Sequence, residues 1–116
     1  MARYLISFDE GAMDFIPEDE MPAVGDAAHA VIRDAKDAGV WVFAGGLYPR
    51  DEVRVSVVAA DGTVVDGPEG KVSIGGLTIV DVASREEALE WAARIAAACR
   101  CAQEVREFMP GRAGGN

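Results

Sequence analysis

Gly75-Gly76-Leu77-Thr78-Ile79-Val80-Asp81-Val82, running on through Ala83-Ser84-Arg85-Glu86-Glu87-Ala88, decides the fold, because it sets a strand directly before a helix. Leu77 to Val82 is apolar on both faces, as in a strand covered from two sides. Ser84 then offers an N-cap, and Glu87 three residues on completes the signature of a capping box. Ala88, Trp91, Ala92, Ile95 and Cys99 recur at helical spacing and form one apolar stripe. Glu86 and Glu87 lie at the positive end of the helix dipole, with Arg94 and Arg100 towards the negative end.

Upstream lies a hairpin: Asp61-Gly62 favours a tight turn between Val53–Ala59 and Thr63–Val65, and Asp66-Gly67-Pro68 breaks the chain. Val40 to Ala44 precedes it, again apolar on both faces and closed by Gly45-Gly46. Before that, Val24, Ala27, Ala28, Val31, Ile32 and Ala35 trace one helical stripe, ending at Asp37-Ala38-Gly39 with Gly39 as the left-handed cap. Arg3 to Phe8 reads as the first strand, with Tyr4, Ile6 and Phe8 on one face. Asp9 to Glu20 is a loop with six carboxylates. It lacks the alternating Asp/Asn pattern and central glycine of a calcium loop. Downstream, Gln103 to Phe108 gives a last strand.

The order β-α-β-β-(β)-β-α-β makes an α+β protein, a ferredoxin-like split β-α-β with an extra short strand in the hairpin region. Residues 1–109 form one domain and 110–116 a flexible Gly-rich tail. Two helices cover only one face of such a sheet, yet several strands are apolar on both. A second copy of the chain is the simplest cover, so a homodimer with sheets packed face to face is expected.

The chain has 116 residues, 50% of them apolar, enough for a core without metal or disulfide staples. Its net charge of −9 argues against nucleic-acid binding and against docking on anionic membranes. No stretch has transmembrane length, and Met1 is not followed by a signal-peptide pattern, so the cytoplasm is the expected location. Cys99 and Cys101 lack the C-x-x-C spacing of redox or zinc sites and read as small buried hydrophobes. The glycine pairs lack the setting of a dinucleotide fingerprint and read as points of close approach or kinking. No cofactor or metal is expected. Trp41 and Phe43, two residues apart, read as packing residues.

These residues resemble a known family, the YCII-related proteins, and within it the DGPF-domain branch. The resemblance is carried by Arg3-Tyr4-Leu5-Ile6, by Asp37-Ala38-Gly39-Val40 leading to Gly46-Leu47-Tyr48-Pro49, and by Asp61-Gly62-Thr63-Val64-Val65-Asp66-Gly67-Pro68. Gly75 to Val82, Glu86 to Ile95 and Gln103 to Arg106 continue it in order. It implies a dimeric α+β barrel. Relatives include proteins thought to be small enzymes, and DGPF members are often encoded beside extracytoplasmic-function sigma factors. The chain departs from the branch at Asp66-Gly67-Pro68-Glu69, where the motif's Phe is a carboxylate, and the stretch to Gly75 is shortened.

His29, the only histidine, is the side chain suited to proton transfer near neutral pH. The family includes members with a helix-1 histidine paired to an aspartate, but His29 sits about one residue out of that register. The helical wheel places it on the flank of the apolar stripe, roughly 130° from its centre and near Lys36. A surface histidine is the simpler reading; a catalytic one needs a loop or a partner chain to enclose it. Asp66 is the acid candidate, with the alternative that it only holds the Gly67-Pro68 turn. Arg54, Tyr48 and Arg50 are candidates for gripping an anionic ligand at a barrel mouth. Two functions are therefore expected to compete. One is the binding, with or without transformation, of a small organic molecule, with His29 and Asp66 as the acid–base pair and no cofactor. The other is a non-enzymatic accessory dimer acting on a protein partner such as a sigma factor.

Overall fold

A computed structural model describes residues 1–67 and 73–111. Strand β1 (Ala2–Asp9) leads through an acidic loop and a short 3₁₀ turn (Glu18–Glu20) into helix α1 (Met21–Asp37). Strand β2 (Trp41–Gly46), the hairpin β3 (Ser56–Val58) and β4 (Val64–Asp66), and strand β5 (Ile74–Val82) follow. Helix α2 (Arg85–Cys99) and strand β6 (Glu104–Glu107) close the fold. The main sheet has the order β2-β5-β1-β6, each strand antiparallel to its neighbours. This is the split β-α-β arrangement that the element order implies. Pro68, Glu69 and Lys71 of the shortened motif region, and residues 112–116 of the expected tail, lie outside the described residues.

The hairpin stands apart: β3 and β4 pair only with each other, in a separate two-stranded sheet. Its turn forms as the sequence requires. Gly62 adopts φ +91°, and the Asp61 carboxylate accepts from the Thr63 amide at 2.9 Å.

Helix ends follow local chemistry. Gly39 takes φ +75°, ending α1 just after its last turn. The Ser84 Oγ accepts from the Glu87 amide at 3.2 Å, while the Glu87 carboxylate accepts from the Ala83 amide at 3.1 Å, one residue before the position a full capping box uses. Arg94 on α2 pairs with Asp34 on α1, and Arg100 pairs with Glu20, so the two helices are clamped along their solvent side.

The core lies between the helices and one sheet face. Tyr4, Ile6, Val80 and Val82 supply the sheet side, and Ala35, Ala88, Trp91, Ala92 and Ile95 the helix side. Ile6, Val80 and Val82 are fully enclosed. Ala27, expected in the α1 stripe, is exposed at its edge.

Among the described residues no layer covers the other sheet face: the molecule is 18 Å thick along its shortest axis. Packed layers sit roughly 10 Å apart, so that thickness is one sheet and one helix layer. Cross-strand register places Phe43, Ile79, Leu5 and Arg106 in one row of this outer face, and Gly45, Leu77, Ser7 and Glu104 in the next. Beside them Arg3 and Asp81 form a two-pronged ion pair, at 2.7 and 2.9 Å.

Trp41 and Phe43 are parted by an irregularity in the β2–β5 register. One extra residue reverses the in–out alternation of a strand. Trp41 is therefore half-buried on the helix side, with the Lys36 ammonium 4.6 Å from its ring, while Phe43 is 54% exposed on the outer face. The two edge strands also differ. β6 carries Glu104, Arg106 and Glu107, whereas β2, Trp-Val-Phe-Ala-Gly-Gly, carries no charge.

Candidate functional site

At one end of the helix-facing side the side chains become too small to fill the space between layers. Ala44 pairs with Thr78, Gly46 with Gly76, and Phe8 with Gly76 from the other side. The Phe8 ring lies against the Gly76 backbone so closely that a Cβ added there would stand 2.5 Å from Phe8 Cζ. Above them Ala28 and Ile32 of α1 and Ile95, Ala98 and Cys99 of α2 form the roof. A cavity of about 300 Å³ results. Its lining is mostly apolar, with His29, Thr78, Cys99 and Gln103 as the polar side chains.

His29 is exposed overall and also lines this cavity, which puts it at the mouth. The wheel angle places it off the core stripe, as expected, but Ile32 one turn later extends the apolar surface in its direction. Among the described residues no carboxylate lines the cavity. An imidazole acting as general base relies on an orienting acceptor, and among the described residues that line this cavity only the neutral side chains of Thr78 and Gln103 offer one. Burial and the neighbouring Cys101 thiol push the Cys99 thiol above its ordinary pKa, and burial does the same to Cys101. Both are free, and neither is an activated nucleophile.

The other candidate residues stand in two different places. Tyr48 and Arg50 share a groove of about 300 Å³ at the base of the hairpin, with Leu47, Val53, Val55 and Ile74. Arg50 is held there from just past the end of β1 and just before β5: its amide donates to Glu10 at 2.5 Å and its Nε to Ser73 Oγ at 3.1 Å, and Ser73 Oγ donates to Glu10 at 3.0 Å. Arg54, two residues before β3, and Asp66, the last residue of β4, stand 4.0 Å apart. Asp66 accepts from the hydroxyl of Ser56, its cross-strand partner, at 2.5 Å. The structure thus joins Tyr48 with Arg50 and Arg54 with Asp66. It does not join His29 with Asp66 within one chain.

Sequence reasoning missed Phe8, Thr78, Cys99 and Gln103 as cavity residues, and Glu10 and Ser73 as the partners of Arg50. The Arg50 contacts to Glu10 and Ser73 span 40 and 23 positions, beyond any local pattern. The cavity had one legible sign, the concentration of glycine at the ends of β2 and β5. Among the described residues, no three His, Cys, Asp or Glu side chains stand together as metal ligands would. No helix there is long and apolar enough to cross a membrane.

The outer-face ion pair sets an acid limit. Hydrogen bonds and attraction from Arg3 hold the Asp81 carboxyl below 3.8. A carboxyl depressed in the folded state stabilises the fold above its unfolded pKa, and that contribution is lost as the pH falls through the folded value. The stability gap between wild type and Asp81→Asn is therefore expected at pH 7 and expected to shrink below pH 3.8, in urea melts at both pH values.

A two-layer α+β sandwich with one split β-α-β sheet and a small-molecule-sized cavity under its helices defines the class. Comparison with families places the chain in one of them: it belongs to the YCII-related domain family, whose model matches residues 4–110. Comparison with curated proteins finds no match.

Proposed function

We propose that the chain binds a small, largely apolar organic molecule in the cavity under α1 and α2, with a polar end directed to His29, Thr78 and Gln103. The observation that carries this is the cavity itself. Its 300 Å³ lies within the span of small-molecule sites, and its apolar wall with few polar groups matches their usual make-up. Among the described residues no carboxylate lines the cavity, which favours binding over turnover by one chain. Acid–base work by His29 and Asp66 requires a second copy to carry Asp66 to the mouth.

The same reading takes the working unit as a cytoplasmic homodimer, two copies closing a dimeric α+β barrel through their outer sheet faces. Its support is the uncovered row of Phe43, Ile79 and Leu5. The ordered motifs from Arg3 to Arg106 support placement in the DGPF-domain branch, with Glu69 in place of the motif's Phe. One observation favours the second reading, an accessory dimer acting on a protein such as a sigma factor: the acids of the 9–20 loop, mostly exposed, present a surface suited to a basic partner.

The cavity is tested with phenol, toluene and indole as probes, followed by amide chemical shifts. Shifts concentrated at Gly45, Gly46, Thr78 and Gln103 are expected, and Ala98→Leu, which fills the roof, is expected to abolish them. Probe-induced shifts that persist in Ala98→Leu, or none at these amides, would overturn the assignment.

A further inference from the structure

We infer that the β3–β4 hairpin is an arm that packs against a second copy of this chain and supplies most of the apolar contact of the dimer; this rests on the dimer reading above. Every residue of both strands is exposed. Val57 pairs with Val65 and Val58 with Val64, so each face of the hairpin carries one valine pair, all four 55–63% exposed. A hairpin with one solvated face alternates apolar with polar residues. This one does not, and a lone two-stranded hairpin is marginal in water without packing. Both faces require cover that the described residues of the chain do not provide.

Area argues for the occupant. On the outer sheet face Leu5, Leu77 and Ile79 are already half-buried and Phe43 is the one widely exposed apolar residue. A standard interface takes ~800 Å² from each partner, polar and apolar surface together. Phe43 and the three half-buried residues expose roughly 250 Å², and the four valines with Leu47, Tyr48 and Val53, exposed by 39–77%, roughly 700 Å² more. The arm and its base therefore hold the larger share of the apolar surface that two copies can bring together.

Charge points the same way. Two copies at −9 each repel, so they can meet only where charge is absent or cancelled. The valine pairs, Leu47, Tyr48 and Phe43 are uncharged, and two of the ion pairs beside them, Arg3 with Asp81 and Arg54 with Asp66, cancel within the chain. Two-fold symmetry gives both arms the same seat at once.

The test is sedimentation equilibrium on the full chain, comparing wild type with Val57→Asp/Val65→Asp, Val57→Thr/Val65→Thr and Phe43→Asp. The aspartate pair is expected to weaken dimerisation by about 100-fold, as loss of central apolar contacts does. The threonine pair, which keeps the strand propensity and near-equal shape, is expected to weaken it by about tenfold. Amide exchange in residues 56–66 of wild type should slow as protein concentration rises. If Phe43→Asp breaks the dimer while both arm variants stay within about threefold of wild type, the arm is not the contact and the dimer reading stands. A wild type that stays monomeric overturns both. A dimer unaffected by any of the three overturns the arm and the sheet-face geometry together.

Discussion

Replacing Trp91 with alanine is expected to lower the unfolding free energy by about 3–5 kcal/mol, the range for truncating a large buried aromatic. Trp91 is 9% exposed and belongs to the cluster formed with Tyr4, Ile6, Val80 and Val82. Its ring also carries the Arg94 guanidinium at 4.8 Å, and Arg94 is the α2 end of the clamp to Asp34. The truncation therefore opens a cavity and releases one inter-helix tie. For a domain of this size the melting midpoint should fall by roughly 10–20 °C. Leu89→Ala on the same helix is the control, since Leu89 is 38% exposed and lies outside the cluster. Urea denaturation at one fixed protein concentration measures both. A loss below about 1.5 kcal/mol for Trp91→Ala would mean that the helix layer is held to the sheet by something other than this cluster.

Gly76→Ala is expected to cost about 1–3 kcal/mol, the usual range for overpacking. The cause is steric rather than conformational: the new Cβ would stand 2.5 and 2.6 Å from two carbons of the Phe8 ring, with the Gly45 carbonyl at 3.4 Å. The ring has to swing off the strand, breaking the aromatic–glycine contact across β1 and β5. In a Phe8→Ala background the same substitution should cost under about 0.5 kcal/mol, so the two changes couple strongly in a double-mutant cycle. Additive costs would show that the ring does not depend on the bare glycine. Because Phe8 is also a cavity wall, probe shifts should change in Gly76→Ala as well.

The elements were largely legible because their signals are local. Ser84 and Glu87, the stripe from Ala88 to Cys99, Gly39, and Asp61-Gly62 each act within a few residues, and each sits where its chemistry requires. The family, too, was legible, from motifs spread along the chain. What depended on distant contacts was not. The alternation of β2 put Trp41 and Phe43 on one side, and a single register irregularity against β5 put them on opposite sides. Which sheet the hairpin joins was not legible either, because nothing in Ser56–Asp66 says which neighbour a strand will take. The close approach expected at Gly75-Gly76 is present: a Cβ on Gly75 would meet Glu10 Cα at 3.0 Å. The cavity beside it arises from missing side chains on two strands and two helices at once, a coincidence no single window contains. His29 was found for its chemistry and placed correctly off the core stripe. Its presence at a cavity mouth came from Ile32 and the small residues opposite.

The unlike edges of the main sheet limit how far such chains can aggregate. A strand edge with open amides and carbonyls invites another strand, and charges along it discourage the approach. Here β2 is the inviting edge and β6, with Glu104, Arg106 and Glu107, the guarded one. A chain with two inviting edges has a valence of two and can run on into a filament. With one, edge-to-edge growth ends at a pair, because the far side of each copy offers the next nothing to add to.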